Sequence, residues 1–217
     1  MTQPIKVSSK ERGNILKEIQ KLLYVYNLNR VIRFGKKRVE KFETQSVAEH
    51  LTNTIFLAHY FRDLEDREHK MDFEKVIRMI LMHDMPEIEN GEIINPQKTQ
   101  KDRDKDMQMV DTVAEKSPRF IQKEIKKLYK ELEGQKTKEA QFVHCVDKFE
   151  GQFFWFKDDG IRMIKSVFKE KRLGVEVYDT VYEKIMNSLQ KYGFKDMAKY
   201  FYVQQSDKKR RGLYEIL

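Results

Sequence analysis

SVAEHLTNTIFLAHYF, residues 46–61, decides how this chain folds. Val47, His50, Leu51, Thr54, Leu57, Ala58 and Phe61 recur at three- and four-residue spacing. That period winds onto one face of an α-helix and fits no strand. Ser46 opens the run and Glu49 follows three residues later. The pair has the form of a capping box, in which each side chain satisfies a backbone N–H at the helix start. Residues 63–70, DLEDREHK, form a polar connection, and a further helix is predicted after Asp72, through Phe73, Val76, Ile77, Ile80 and Leu81 to His83. Pro86 then disturbs helical hydrogen bonding, and Asn90-Gly91 marks a turn.

The same period extends in both directions. Upstream, Ile15, Ile19, Leu22, Leu23 and Tyr26 predict a first helix at about 9–27, with Ser8 or Ser9 as its cap. Leu28 to Thr44 is basic, contains Gly35 and reads as a long loop. Downstream, residues 104–133 predict one or two highly charged helices interrupted at Ser117-Pro118, followed by a helix over 136–158. Two more helices are expected near 174–191 and 194–205, and then a basic tail, KKRRG. No window alternates apolar and polar residues, and no repeat of 20–50 residues is visible. The expectation is an all-α single domain over 1–217.

Composition agrees. The 217 residues are 40% apolar and 36% charged, with only 9 Gly and 4 Pro, too few turn residues for an all-β or linker-rich architecture. No stretch approaches a membrane span, and the first residues lack the apolar core of a signal peptide, so a cytoplasmic location is expected. A single cysteine, Cys145, excludes an intrachain disulfide framework and a thiolate-cluster metal site. The 43 basic and 35 acidic residues leave a charge of +8, but they are interspersed, as in KELEGQKTKEA at 130–140. Such a surface biases the chain mildly toward anionic ligands and disfavours nucleic acid as the partner.

Four residues with metal-binding chemistry stand in apolar helical surroundings: His50, the adjacent His83 and Asp84, and Asp147 within FVHCVDKFEGQFFWF. Imidazole and carboxylate ligands suit divalent first-row metals and leave positions open for water. His50 and Asp147 must come from facing helices, as in bundle metal sites. Glu87 falls three residues after Asp84 and four after His83, which puts it on the same face if the helix continues through Pro86. A carboxylate there is placed to donate or accept a proton. Of the other histidines, His59 lies about 900° of rotation beyond His50 and faces away. His69 is in a charged connection, and only His144 is spaced to face the same cavity, so a mononuclear site is favoured.

The order His50, His83-Asp84, Asp147 resembles the H…HD…D signature of the HD-domain metal-dependent phosphohydrolases. The context resembles the branch that contains 5′-deoxynucleotidases: Arg33-Phe34-Gly35 after the first helix, QSVAEH at 45–50, HDMPE at 83–87, GEI at 91–93 and Asp147-Lys148. The likeness covers about residues 10–190. It implies an all-α HD bundle with one divalent ion (Mn, Co, Zn, Fe or Mg) on His50, His83, Asp84 and Asp147. It further implies hydrolysis of the 5′-phosphate of (deoxy)nucleoside monophosphates by a metal-activated water. Glu87 would help position or protonate, with Glu92 as its partner, Arg33 would meet the phosphate or the nucleotide rim, and Phe34 would pack on the sugar or base; Lys98 is either a further phosphate contact or a solvated loop lysine. Gln45 stands where the family usually has Glu, a change to the hydrogen bonding behind the ligands. Glu92 stands where it usually has Asp, one methylene longer. The charged segment after Pro96 and the tail beyond 190 have no obvious counterpart. Two other readings of the same scaffold are a dNTP triphosphohydrolase and a non-catalytic nucleotide- or nucleic-acid-binding protein. The aromatic block Phe153 to Phe156 adds the expectation of a homodimer, Met79, Met82 and Met85 that of core filling.

Overall fold

A computed structural model describes residue 10 and residues 45–91, 99–154 and 176–210. Among these residues there are eight helices and no strand. In chain order they are α1 (Val47–Glu65), α2 (Phe73–Met82), α3 (Glu87–Asn90), α4 (Gln100–Lys116), α5 (Gln122–Gly134), α6 (Lys138–Phe154), α7 (Glu176–Tyr192) and α8 (Lys195–Arg210). The fold is all-α, as the periodicity predicts. The first helix, the basic loop and the aromatic residues beyond Phe154 fall outside the described residues, as do the side chains of Phe153 and Phe154.

Local chemistry sets the helix boundaries. Ser46 Oγ accepts from Glu49 N at 3.2 Å, and Glu49 Oε2 accepts from Ser46 N at 2.5 Å, which completes the capping box that opens α1. Asp66 then folds the connection to α2, its carboxylate accepting from the amides of Lys70 and Met71. Asp72 caps α2 by accepting from Lys75 N at 3.0 Å. This short link turns the chain back, so that the end of α2 arrives beside the start of α1. Helix α2 stops at Met82, and the chain tightens into three-residue turns, with Glu87 N donating to Asp84 O at 3.0 Å and Ile88 N to Met85 O at 3.1 Å. Pro86 has no N–H to continue the ladder, but its fixed φ suits a helix start, and it opens α3. Gly91 closes α3 at φ +67°, a left-handed conformation that favours glycine.

Helix α6 runs through the middle, packed against α1, α2, α5 and α7. Val143, Val146 and Phe149 of α6 join Ala58 and Phe61 of α1, Val76, Met79 and Ile80 of α2, Leu189 of α7, and Met197 and Phe201 of α8 in the main core. Phe149 touches both Phe61 and Phe201, with ring centroids 5.1 and 5.6 Å away. A smaller core holds Met85, Val110, Val113, Ala114, Ile125 and Tyr129 between α4, α5 and the turn after α2. Met79 and Met85 are each buried in one of these cores and Met82 packs against both, as their spacing predicts. The charged region is two helices, parted at Ser117-Pro118. The last helix continues to Arg210, past its expected end near 205 and into the basic tail.

Candidate metal centre

Three helix segments bring the centre together. His50 lies in the first turn of α1, His83 and Asp84 cap the end of α2, and Asp147 faces them from the middle of α6. His50 Nε2 is 2.9 Å from Asp147 Oδ1 and 3.7 Å from Asp84 Oδ2. His83 Nε2 is 3.1 Å from Asp84 Oδ1 and 3.4 Å from Asp147 Oδ1. The two imidazole rings meet edge to face at 5.6 Å. One ligand atom each from His50, His83 and Asp84 fits within 4.8 Å of the others. Asp147 joins this trio through its contacts to both imidazoles.

These residues fit a divalent cation on two observations. His83 Nδ1 donates to the backbone oxygen of Ile80 at 2.7 Å, which turns Nε2 toward the cluster. That Nε2 is buried and makes no hydrogen bond among the described residues, despite two carboxylates close by. A buried polar atom left this way is costly, and a cation at the cluster would complete it. The second observation is electrostatic. Burial disfavours a charged His83, yet Asp84 and Asp147 outweigh it and raise the imidazole's pKa. Burial likewise opposes ionisation of Asp147, but Lys148, His50 and His83 hold its carboxyl well below the ordinary value. The same field that draws a proton onto His83 draws a metal ion.

A layer of polar residues supports the cluster. Glu150 Oε2 accepts from His50 Nδ1 at 2.5 Å, and Glu150 Oε1 accepts from Gln45 Nε2 at 2.8 Å. Lys148 Nζ donates to Asp147 Oδ2 at 2.8 Å. Glu150 has no place in the sequence-based set. Its signal was an acidic residue three positions after Asp147, on the same face of a helix otherwise apolar there.

The remaining candidates divide between those placed and those outside the description. Glu87 begins α3 after the tightened turn rather than continuing α2 through Pro86, and one of its carboxylate oxygens is buried. Burial raises the pKa of Tyr129, with Glu133, Asp106, Asp84 and Glu87 adding to the shift, so the acidic cluster is felt into the smaller core. Arg33, Phe34, Glu92 and Lys98 lie outside the described residues. His59 packs on the ring of Phe73 at 4.6 Å, and His144 binds Gln135 instead of joining the cluster.

A family description of the HD domain matches residues 25–192, and so takes in all four clustered residues. The chain belongs to the HD domain family. Among its relatives, a 5′-deoxynucleotidase HDDC2 of Mus musculus is 34% identical over 134 residues, 59% of this chain and 63% of the relative. A 5′-deoxynucleotidase HDDC2 of Xenopus laevis is 34% identical over 148 residues, 66% of this chain and 69% of the relative. The match to the mouse relative thus spans somewhat less than two thirds of that protein. Solved HD-type structures share the fold at lower identity. A predicted metal-dependent phosphohydrolase of Magnetospirillum magnetotacticum has 18% identity and a TM-score of 0.70, over 93% of this chain and 98% of its own. An HD-domain phosphohydrolase of Listeria innocua has 21% identity and a TM-score of 0.63, over 91% and 92%. No described helix of this HD protein is long and apolar enough to cross a membrane.

Proposed function

We propose that this HD protein is a metal-dependent phosphohydrolase that removes the 5′-phosphate from (deoxy)nucleoside monophosphates. The observation that carries the reading is the convergence of His50, His83, Asp84 and Asp147 from three helix segments, with His83 Nε2 buried and facing the cluster. The names of the HDDC2 relatives support the substrate class. His50, His83, Asp84 and Asp147 would hold one divalent ion. When bound, such an ion supplies Lewis acidity toward a phosphoryl oxygen and lowers the pKa of water. Manganese, cobalt, zinc, iron and magnesium all suit this ligand set.

Hydrolysis forms a bond from a water oxygen to phosphorus and breaks the bond from phosphorus to the ribose oxygen, which leaves with a proton. Glu87, three residues beyond Asp84, is the group we assign to hold and deliver that proton, with Glu92 as its partner. Arg33 offers a guanidinium fork that matches phosphate, Lys98 adds a second cation, and Phe34 packs against the sugar or base. The +8 charge favours approach of the anionic substrate. A cytoplasmic homodimer belongs to the same proposal. Phe56 and Tyr60, one turn apart on α1, are exposed, and Tyr60 meets Tyr200 of α8, an aromatic surface that suits a second copy.

The test is to strip metal from the protein, restore divalent ions singly, and identify products from dNMPs, NMPs and dNTPs. Metal-dependent phosphate release from dNMPs is the expected result. Tripolyphosphate or pyrophosphate from dNTPs would reassign the chain to the triphosphohydrolases. Silence with every ion, together with salt-sensitive oligonucleotide binding, would favour the non-catalytic reading.

A further inference from the structure

Glu150 stands behind His50, on the opposite edge of the ring from the ligand cluster. Its side chain is 2% exposed. A carboxylate buried that deeply is costly unless hydrogen bonds hold it. Here Oε2 faces His50 Nδ1 at 2.5 Å, while Oε1 receives Gln45 Nε2 at 2.8 Å and Asn53 Nδ2 at 3.3 Å. Two amides, one just before α1 and one within it, therefore fix the carboxylate plane and aim its other oxygen at the imidazole. Gln45 is itself buried. An amide at position 45 can donate to Glu150, whereas a carboxylate there would set two anions at hydrogen-bond distance.

We propose that Glu150 is a positioning residue of the centre, and that Gln45 orients it. By accepting the Nδ1 proton, Glu150 holds His50 in the tautomer whose Nε2 lone pair points to the cluster. The proposal rests on the metal-centre reading above. The amide at position 45 thereby acquires a defined role, which is to keep Glu150 turned toward His50.

The test compares the wild-type chain with Glu150→Gln, Glu150→Asp, Gln45→Leu and His50→Ala, all stripped of metal. Zinc affinity is measured by competition with a chelating indicator, and the metal-free melting temperature is recorded alongside. Glu150→Gln preserves volume but cannot accept from His50 and from Gln45 with the same pair of oxygens. It is expected to weaken zinc binding about 10–100-fold in protein that its metal-free melting transition shows to be folded. Glu150→Asp keeps the charge but withdraws the oxygen by one methylene, and should show the same loss, so it carries the test if the glutamine variant does not fold. Gln45→Leu should move affinity the same way by a smaller factor. In the zinc-loaded protein, nitrogen-15 spectra should show a hydrogen-bonded Nδ1 proton on His50 that disappears in Glu150→Gln. Unchanged affinity and an unchanged His50 proton in the Glu150 variants would overturn the proposal, and no effect of Gln45→Leu would overturn the part given to Gln45. Unchanged affinity in His50→Ala would instead overturn the metal centre itself.

Discussion

His144 should make the metal-free protein acid-sensitive in a way that can be isolated. Tyr192 donates its hydroxyl proton to Gln135 Oε1 at 2.5 Å, which fixes the Gln135 amide with its nitrogen toward the imidazole. Gln135 Nε2 lies 3.0 Å from His144 Nδ1, so that ring nitrogen must accept and the ring must be neutral. A proton on Nδ1 would face an N–H, in a buried setting with Lys148 nearby. Burial first, and then the Lys148 charge, push the His144 pKa down from 6.5 to about 4. With the folded value depressed, the unfolded chain binds more protons between those two pH values. Stability is therefore whole above about pH 6.5 and falls as pH drops toward 4. A gap of about 2.5 units at 1.36 kcal/mol each gives a loss of about 3 kcal/mol across that window. The assay is urea unfolding of metal-free protein from pH 7.5 to 4, wild type against His144→Gln, whose amide oxygen still accepts from Gln135 but does not titrate. The difference in unfolding free energy should be flat above pH 7 and shift by about 3 kcal/mol toward the variant on acidification. Parallel curves for the two proteins would refute the neutral-acceptor argument.

Three further outcomes are expected. A divalent ion at about one hundred times its dissociation constant should stabilise the wild type by about 2.7 kcal/mol, or about 5–11 °C in melting temperature, and His83→Ala should abolish the shift in a thermal melt. Glu87→Gln should keep metal affinity while kcat on the best nucleotide falls about 10²–10⁴-fold, and full activity would remove Glu87 from its assigned role. Ser46→Ala removes the acceptor for Glu49 N at the start of α1, and should cost about 1 kcal/mol by urea unfolding.

The parts of the fold that were legible are those written locally. Ser46 with Glu49, and Asp72 before an apolar run, announce helix starts because the capping side chain and its amide are neighbours in sequence. Pro86 and Asn90-Gly91 announce breaks for the same reason. The end of α8 was less legible: Gln204, Gln205, Lys208 and Lys209 carry good helix propensity but no apolar stripe, so periodicity alone stops the helix too soon. At the site, His50, His83, Asp84 and Asp147 were found through a pattern of family likeness, and the geometry brings them within reach of one another. Glu150 was not, because its partners are remote: Gln45 is 105 residues away and His50 is 100. Contacts of that kind are written only in the packing of α6 against α1.

That packing ties the centre to the core. Val143, Val146 and Phe149 carry the buried apolar face of α6, while Asp147 and Glu150 sit on the same helix among them. A helix that buries two carboxylates beside its main apolar contacts is stable only if each oxygen finds a donor or a cation. Glu150 meets two amides and an imidazole from α1 and the residue before its cap. Asp147 instead meets Lys148 and two imidazoles that also face Asp84. The two carboxylates thus divide the work. Glu150 ties α6 to α1, whereas Asp147 shares its imidazole partners with Asp84. A divalent ion held by His50, His83, Asp84 and Asp147 would leave the Glu150 contacts behind His50 in place.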